Sequence, residues 1–415
     1  MNKEEIRQYM GPGAIDSVDT ARGLSSKLLR DVVHNVPRVG IGSESSVDDH
    51  IHALLDLLAW HHYLVSHGDR PEHRVQLVVG RGPSTDAALP AVRTLRWTHT
   101  GAPEVEVLVE SDSNPGDFEA DTGEAPTFSG LRPTEYAGYL NGWYSIAPTG
   151  MASEILDRSP DARRLRLYPQ LSNPPDGGKW SLRLDGLQIG ELGPTEGYLR
   201  VGKGELSSQR AVQMWHKING GGEALPVTET SLDAAIGRIS ELVRELERVD
   251  GGLLDHGVPE HALESAVVRG EIQVTIGGRK LSTLGDGQAK VAYGSQIPTL
   301  WAPAGRPRYL DALLRDDAVP WAVEMKVKAG GGYGAYLRHA IGQAVLYRHF
   351  LRTATPYQTW FNDRGLDRQA VRAAVLYPQP TPEVQRKIAS RIGNLLLTAA
   401  AFDVQVVTVD AGWLQ

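Results

Sequence analysis

Asp311, Glu324 and Lys326 are residues whose types and spacing could do chemistry. They stand in Arg308-Tyr-Leu-Asp-Ala-Leu-Leu and Trp321-Ala-Val-Glu-Met-Lys-Val, two largely apolar segments that read as β-strands. Arg315-Asp-Asp-Ala-Val-Pro between them has turn composition, so the strands are expected to pair antiparallel. Strand side chains alternate faces, which puts Glu324 and Lys326 on one side and Met325 on the other. Two facing carboxylates repel unless a cation sits between them. Mg²⁺ (or Mn²⁺) suits such a site, held by one or two carboxylates, a backbone carbonyl and water. Lys326 would lie beside it, able to assist an attacking water and offset the charge of a phosphoryl transition state.

The elements that must position these groups follow from periodicity. A helix is expected at 336–352, with Gln343 and Tyr347 at i and i+4 on one face. Another begins at Pro259, where proline suits a first turn, and stops at Gly270. Strands are expected at 272–276, 291–300, 308–314, 321–327, 373–377 and 404–409, with a last helix at 382–399. Strands interleaved with helices make this part α/β, a mixed sheet flanked by helices.

The ordered set of residues resembles the PD-(D/E)xK nuclease superfamily, nearest its RecB-like and Cas4-like branch, which adds a QxxxY motif. The resemblance covers about 259 to 415. It implies a restriction-endonuclease-like fold and a metal-dependent nuclease acting on DNA, with RNA possible, in antiviral defence or DNA repair. It implies that Asp311, Glu324 and the Met325 carbonyl hold the metal, with Glu264 from the preceding helix completing the set. Lys326 would assist the water, and Gln343 and Tyr347 would orient the substrate backbone. Tyr309-Leu310 precede Asp311 where some members have proline.

Bulk properties bound the rest. A chain of 415 residues is expected to form two domains, divided near Gly220-Gly-Gly and Pro226: 1–228, of α+β type and unassigned fold, and 229–415, opened by a docking helix at 232–249. The absence of cysteine leaves only oxygen and imidazole as metal ligands. No long apolar run or apolar leader appears, so a cytoplasmic protein away from the membrane is expected. From residue 229 onward, 21 Lys and Arg face 20 Asp and Glu; before it, 22 face 30. The acidic part suits a protein partner or a second copy better than DNA. That keeps open a binding or assembly subunit of a defence complex, partner-gated or activated by a nucleotide.

Weaker signals remain. A helix at 47–67 is crowded by His50, His52, His61, His62 and His67, without the spacing of a metal site. Gly80-Arg-Gly between a strand (74–79) and a helix (86–95) fits a plain turn better than a phosphate-binding one. The acidic stretch 111–124 reads as a loop, and four short strands (165–168, 180–184, 187–189, 198–201) as an antiparallel meander. Arg338, His339, Arg348 and His349, with Lys328 and the glycine-rich loop at 330–334, could form a phosphate-tracking edge or a solvated helix face, and Trp143, Tyr144 and Trp215 could stack on bases or fill a core.

Overall fold

The structure, a computed structural model, describes residues 38–66, 74–101, 103–127, 148, 150–169, 179–201, 209–248, 259–284, 292, 294–299, 301, 308–327, 333–380 and 382–410. Trp143 and Tyr144, read from the sequence as core or base-stacking aromatics, lie outside them, as does His67.

After a short antiparallel pair, β10 (Thr275–Ile276) and β11 (Arg279–Lys280), the C-terminal sheet holds five strands in sequence order: β12 (Ser295–Thr299), β13 (Arg308–Asp316), β14 (Val319–Met325), β15 (Arg372–Pro378) and β16 (Val404–Val409). The first three pair antiparallel and the last three parallel, so the sheet is mixed. Each parallel step needs a crossover, supplied by α7 (Tyr333–Thr353), which the short α8 (Gln358–Asn362) follows, and by α9 (Pro382–Ala401). One face of the sheet (Ala312, Leu314, Val323, Met325, Leu376) packs against Leu263, Ala266 and Val267 of α6 (Pro259–Val268). The other (Leu313, Ala322, Ala373, Val375) packs against α7.

The N-terminal part divides differently from the expected single α+β domain. A first sheet, β1 (Arg38–Ile41), β2 (Arg74–Val79), β3 (Glu104–Glu110) and β4 (Phe118–Ala120), is parallel through its first three strands. Its crossovers are α1 (Val47–Ser66) and α2 (Thr85–Thr98), which makes this unit α/β. Both helices pack onto α7, and α1 also onto α9, so one hydrophobic core runs from β1 through the C-terminal sheet. The apolar positions of α1 and α7 extend round the helix because each is covered on two sides.

A second unit lies between these segments in the sequence. Strands β5 (Leu165–Pro169), β6 (Trp180–Leu184), β7 (Leu187–Leu192), β8 (Gly197–Leu199) and β9 (Leu225–Val227) form an antiparallel meander in sequence order. Its core is shared with α3 (Met151–Arg158), α4 (Gln209–Asn219) and α5 (Leu232–Glu247). The helix expected to dock one domain on the other is therefore α5, and its apolar face (Leu232, Ala235, Ile239, Leu242, Leu246) belongs to this central core. Trp215 is buried in the same core, so it is not a base-stacking surface. Among the described residues, no helix is long and apolar enough to cross a membrane.

Candidate metal centre

The register of the C-terminal sheet builds the site. Ala312 lies opposite Val323 in the antiparallel pair, and one step further the same register sets Asp311 opposite Glu324. On the other side of β13, Ser295 faces Ala312 and Ile297 faces Leu310, which sets Gln296 beside Asp311. Gln296, Asp311 and Glu324 thus form a row across three strands. Gln296 adopts a left-handed backbone (φ 54°), a conformation costly for a residue with a Cβ.

Asp311 and Glu324 are both buried. The Met325 N–H donates to Asp311 Oδ2 at 2.7 Å, while the Met325 side chain turns into the opposite core, as strand alternation requires. Lys326 follows the end of β14, and its Nζ lies 2.7 Å from Glu324 Oε1 and 2.6 Å from Glu260 Oε1. Ligand atoms of Glu260, Asp311 and Glu324 all lie within 4.8 Å of one another.

Glu260 was not among the residues singled out from the sequence. It stands one turn before Glu264 on α6, and that i, i+4 spacing was the signal available. Glu264 is spoken for differently: Ser295 Oγ donates to Oε1, Gln296 Nε2 donates to Oε2 at 3.0 Å, and His261 Nδ1 lies 3.1 Å from Oε2. Ser295, Gln296 and His261 join the site without any sequence signal; only the register and the helix turn bring them there.

The central unit fixes α6 in place. Gly186, at the tip of the β6–β7 turn with φ 88°, approaches α6 so closely that a Cβ would lie 2.4 Å from the His261 carbonyl oxygen. Asp185 pairs with Arg269 just beyond α6 and with Arg164 at 2.8 Å. Arg183 lies over the Tyr168 ring, 3.9 Å from its centroid.

The electrostatics are those of crowded, desolvated carboxylates. Burial and the charge of Glu324 push Asp311 well above the usual carboxylate range, against the pull of Lys326. Burial raises Glu324 to about 7, with Lys326 again opposing. Burial alone would raise Glu264 too, but His261, Arg183 and Ser295 outweigh it and hold that carboxyl low. Burial would lower Lys326, yet Glu324, Asp311 and Glu260 keep its ammonium more tightly protonated than a free lysine.

On α7, Gln343 Nε2 donates to the Tyr347 hydroxyl at 3.4 Å, and that hydroxyl donates to the Tyr309 carbonyl at 2.9 Å. The pair therefore ties α7 to the start of β13, two residues from Asp311. Of the basic residues on this helix, Arg338 pairs with Asp56 in the interior, Arg348 donates to the Asp403 carbonyl, and His349 lies 2.7 Å from the Pro126 carbonyl oxygen. Of the four basic residues of α7 expected to track phosphates, His339 is the one not engaged in these contacts, while Lys328 and residues 330–332 of the glycine-rich loop lie outside the described residues.

Two other sequence features resolve as structure. The Arg81 N–H of the Gly80-Arg-Gly turn donates to the Glu110 carboxylate, and Gly82 lies against the Ser43 carbonyl, where a Cβ would be 1.9 Å from the oxygen. That turn joins loops and offers no vacant cradle for phosphate. The acidic stretch expected to be a loop contains β4, and Arg93 grips Asp121 beyond it at 2.6 Å.

The chain matches no family model, no curated protein and no solved structure.

Proposed function

We propose that the protein is a divalent-metal-dependent nuclease that hydrolyses phosphodiester bonds, with DNA the substrate to test first. What carries this reading is the convergence of Glu260, Asp311 and Glu324 from a helix and two adjacent strands, with Lys326 beside them. The sequence order of helix Glu, strand Asp, Glu-Met-Lys and Gln343/Tyr347 supports it, being that of PD-(D/E)xK nucleases of the RecB-like branch.

The residues fit a hard cation. All the donors are oxygens, and Glu324 Oε2 is buried with no hydrogen-bond partner among the described residues. Such an orphaned acceptor is costly unless something positive meets it. Glu260, Asp311 and Glu324 would hold Mg²⁺ or Mn²⁺, with Glu264 anchoring the neighbouring turn. When bound, the cation would supply Lewis acidity toward a phosphoryl oxygen and toward water.

The chain's own groups do the rest. Lys326 carries its proton at neutral pH and would place a fixed positive charge where negative charge develops on the phosphoryl oxygens. The Met325 N–H holds Asp311 in position, so one carboxylate oxygen stays oriented through the reaction. Tyr347 and Gln343 brace α7 against β13 beside the row.

Incubation of the protein with plasmid, oligodeoxynucleotide and short RNA in Mg²⁺, Mn²⁺ or EDTA tests the reading. Cleavage in metal, absent in EDTA and abolished by Lys326→Ala, is the result expected. No cleavage of any substrate in either metal, or a Lys326→Ala protein as active as wild type, would overturn it.

A further inference from the structure

Two contacts join the start of α1 to one edge of the C-terminal sheet. Arg308 Nη2 lies 3.6 Å from Asp48 Oδ2, and His339 Nδ1 lies 3.2 Å from His52 Nε2. Both fall at the edge where Lys326 sits. Arg308 opens β13 three residues before Asp311, roughly 10 Å along the strand. His339 stands one turn before Gln343 on α7, so His339, Gln343 and Tyr347 form one stripe. In open α/β sheets the carboxyl ends of the parallel strands are where ligands bind, and this is the carboxyl end of β14.

We propose that Arg308 and His339, the latter backed by His52, bind a backbone phosphate flanking the scissile one, which makes α1 part of the substrate cleft. The inference rests on the nuclease reading and specifies how the substrate strand is held.

Arg308 is prepared for the task. Its guanidinium lies 5.6 Å from the centroid of the Trp301 ring, which orders it, and it is 40 % exposed. Its ion pair with Asp48 is long and partly solvated, the kind that contributes little to stability. A phosphate can replace Asp48 there at small cost and gain a charge-assisted, two-pronged contact.

The histidines complement it. In the tautomer where His52 Nε2–H donates to His339 Nδ1, His339 Nε2–H remains as a donor, and no described residue accepts from it. Burial holds both rings neutral, so the pair offers a hydrogen bond rather than a fixed charge. The roughly 10 Å between Arg308 and Asp311 is short enough for one strand to reach both, with its scissile phosphate at the carboxylates and a nearby phosphate at Arg308.

The experiment measures binding of a fluorescent oligodeoxynucleotide by anisotropy, with Ca²⁺ replacing Mg²⁺ to suppress cleavage. Wild type, Arg308→Gln, His339→Ala, His52→Ala and Asp48→Asn are compared across salt concentrations, with melting temperature measured for each. Arg308→Gln and His339→Ala are expected to bind roughly tenfold more weakly. Arg308→Gln should also lower the slope of log K against log salt by about one, which a structural role would not do. Asp48→Asn should bind more tightly. If wild type binds and Arg308→Gln binds equally well with the same slope, the phosphate site is refuted. If a histidine variant loses its fold, Arg308 decides, since its exposed side chain can be shortened without a cavity. If wild type neither binds nor cuts in any metal, the nuclease reading fails and takes this site with it.

Discussion

Glu260 and Glu264 stand one turn apart on α6 and face two different tasks. Glu260 reaches the Lys326 ammonium at 2.6 Å, and its carboxylate lies within 4.8 Å of those of Asp311 and Glu324. Glu264 is enclosed by Ser295, Gln296 and His261, so its carboxylate ties α6 to the row of strands and stands outside the acidic cluster. The helix delivers one carboxylate to the cluster of Asp311 and Glu324 and uses the next to anchor itself.

On the proposed metal-site reading, that division separates two conservative changes by whether excess metal restores cleavage. Glu260→Gln should weaken Mn²⁺ binding, read by calorimetry, and cut metal-dependent cleavage by two orders of magnitude or about that. Glu264→Gln should lower metal affinity by roughly 10–100-fold, as for a residue that orients ligands, with cleavage recovered at high metal concentration. Recovery of Glu260→Gln by excess metal and failure of Glu264→Gln to recover would reverse the assignment.

The raised carboxylates predict a pH dependence whose sign can be worked out. Glu324 titrates at about 7 in the fold against 4.5 when free, so across that window the native state binds more protons than the unfolded chain. Metal-free stability from this site is therefore present at low pH and lost as pH rises toward 7. His52 and His339, held down to about 4, act in the opposite sense, losing stability as pH falls, and are shared by both proteins compared here. The melting temperature of wild type minus that of Glu324→Gln should thus decrease from about pH 5 to about pH 8 in EDTA. Millimolar Mg²⁺ should reverse that decrease, because metal binds the ionised site. A flat difference in EDTA would show that Glu324 ionises normally.

A buried ion pair gives a third expectation. Arg338 and Asp56 join α7 to α1, with side chains 7 % and 5 % exposed. Removing one partner takes this pairing away from a buried charge, so Arg338→Met should cost about 3–5 kcal/mol in urea unfolding. Replacing both, as Asp56→Leu with Arg338→Met, should cost markedly less than the single change. Equal losses for single and double variants would show that the two groups do not act as a pair.

The row of carboxylates was legible in the sequence because strand alternation and a short turn dictate register: once the two strands pair, Asp311 must meet Glu324. Gln343 and Tyr347 were legible for the same reason, a fixed helical period. Glu260 was missed because helix periodicity marks both acidic residues of α6 alike, and only the tertiary position of the helix separates them. Ser295 and Gln296 carry no local signal; they are recruited by sheet pairing across a gap in sequence. The expected boundary between 228 and 229 followed a glycine-rich turn, yet packing follows apolar faces. The face of α5 fits the central core, and the broad apolar face of α1 fits between its own sheet and α7. A wide apolar face says that a helix is covered by more than one neighbour, and leaves the identity of the cover to the tertiary fold.

That cover can be tested at one glycine. Gly342 sits in the interior of α7, where alanine would normally be preferred by about 1 kcal/mol. A Cβ there would lie 2.5 Å from Ile51 Cγ2 and 3.4 Å from Leu55 Cδ1, both on α1. Ile51 is buried and branched at its β-carbon, so it has few rotamers in which to retreat. Gly342→Ala should therefore destabilise the protein, by about 1–3 kcal/mol, instead of stabilising it. Ile51→Ala removes the obstructing methyl group at its own cost in packing, and the two changes combined should be less harmful than their sum. If Gly342→Ala alone raises the melting temperature, α1 does not pack on α7 at this point. The Asp48 and His52 contacts at the edge of the site would then lose their support as well.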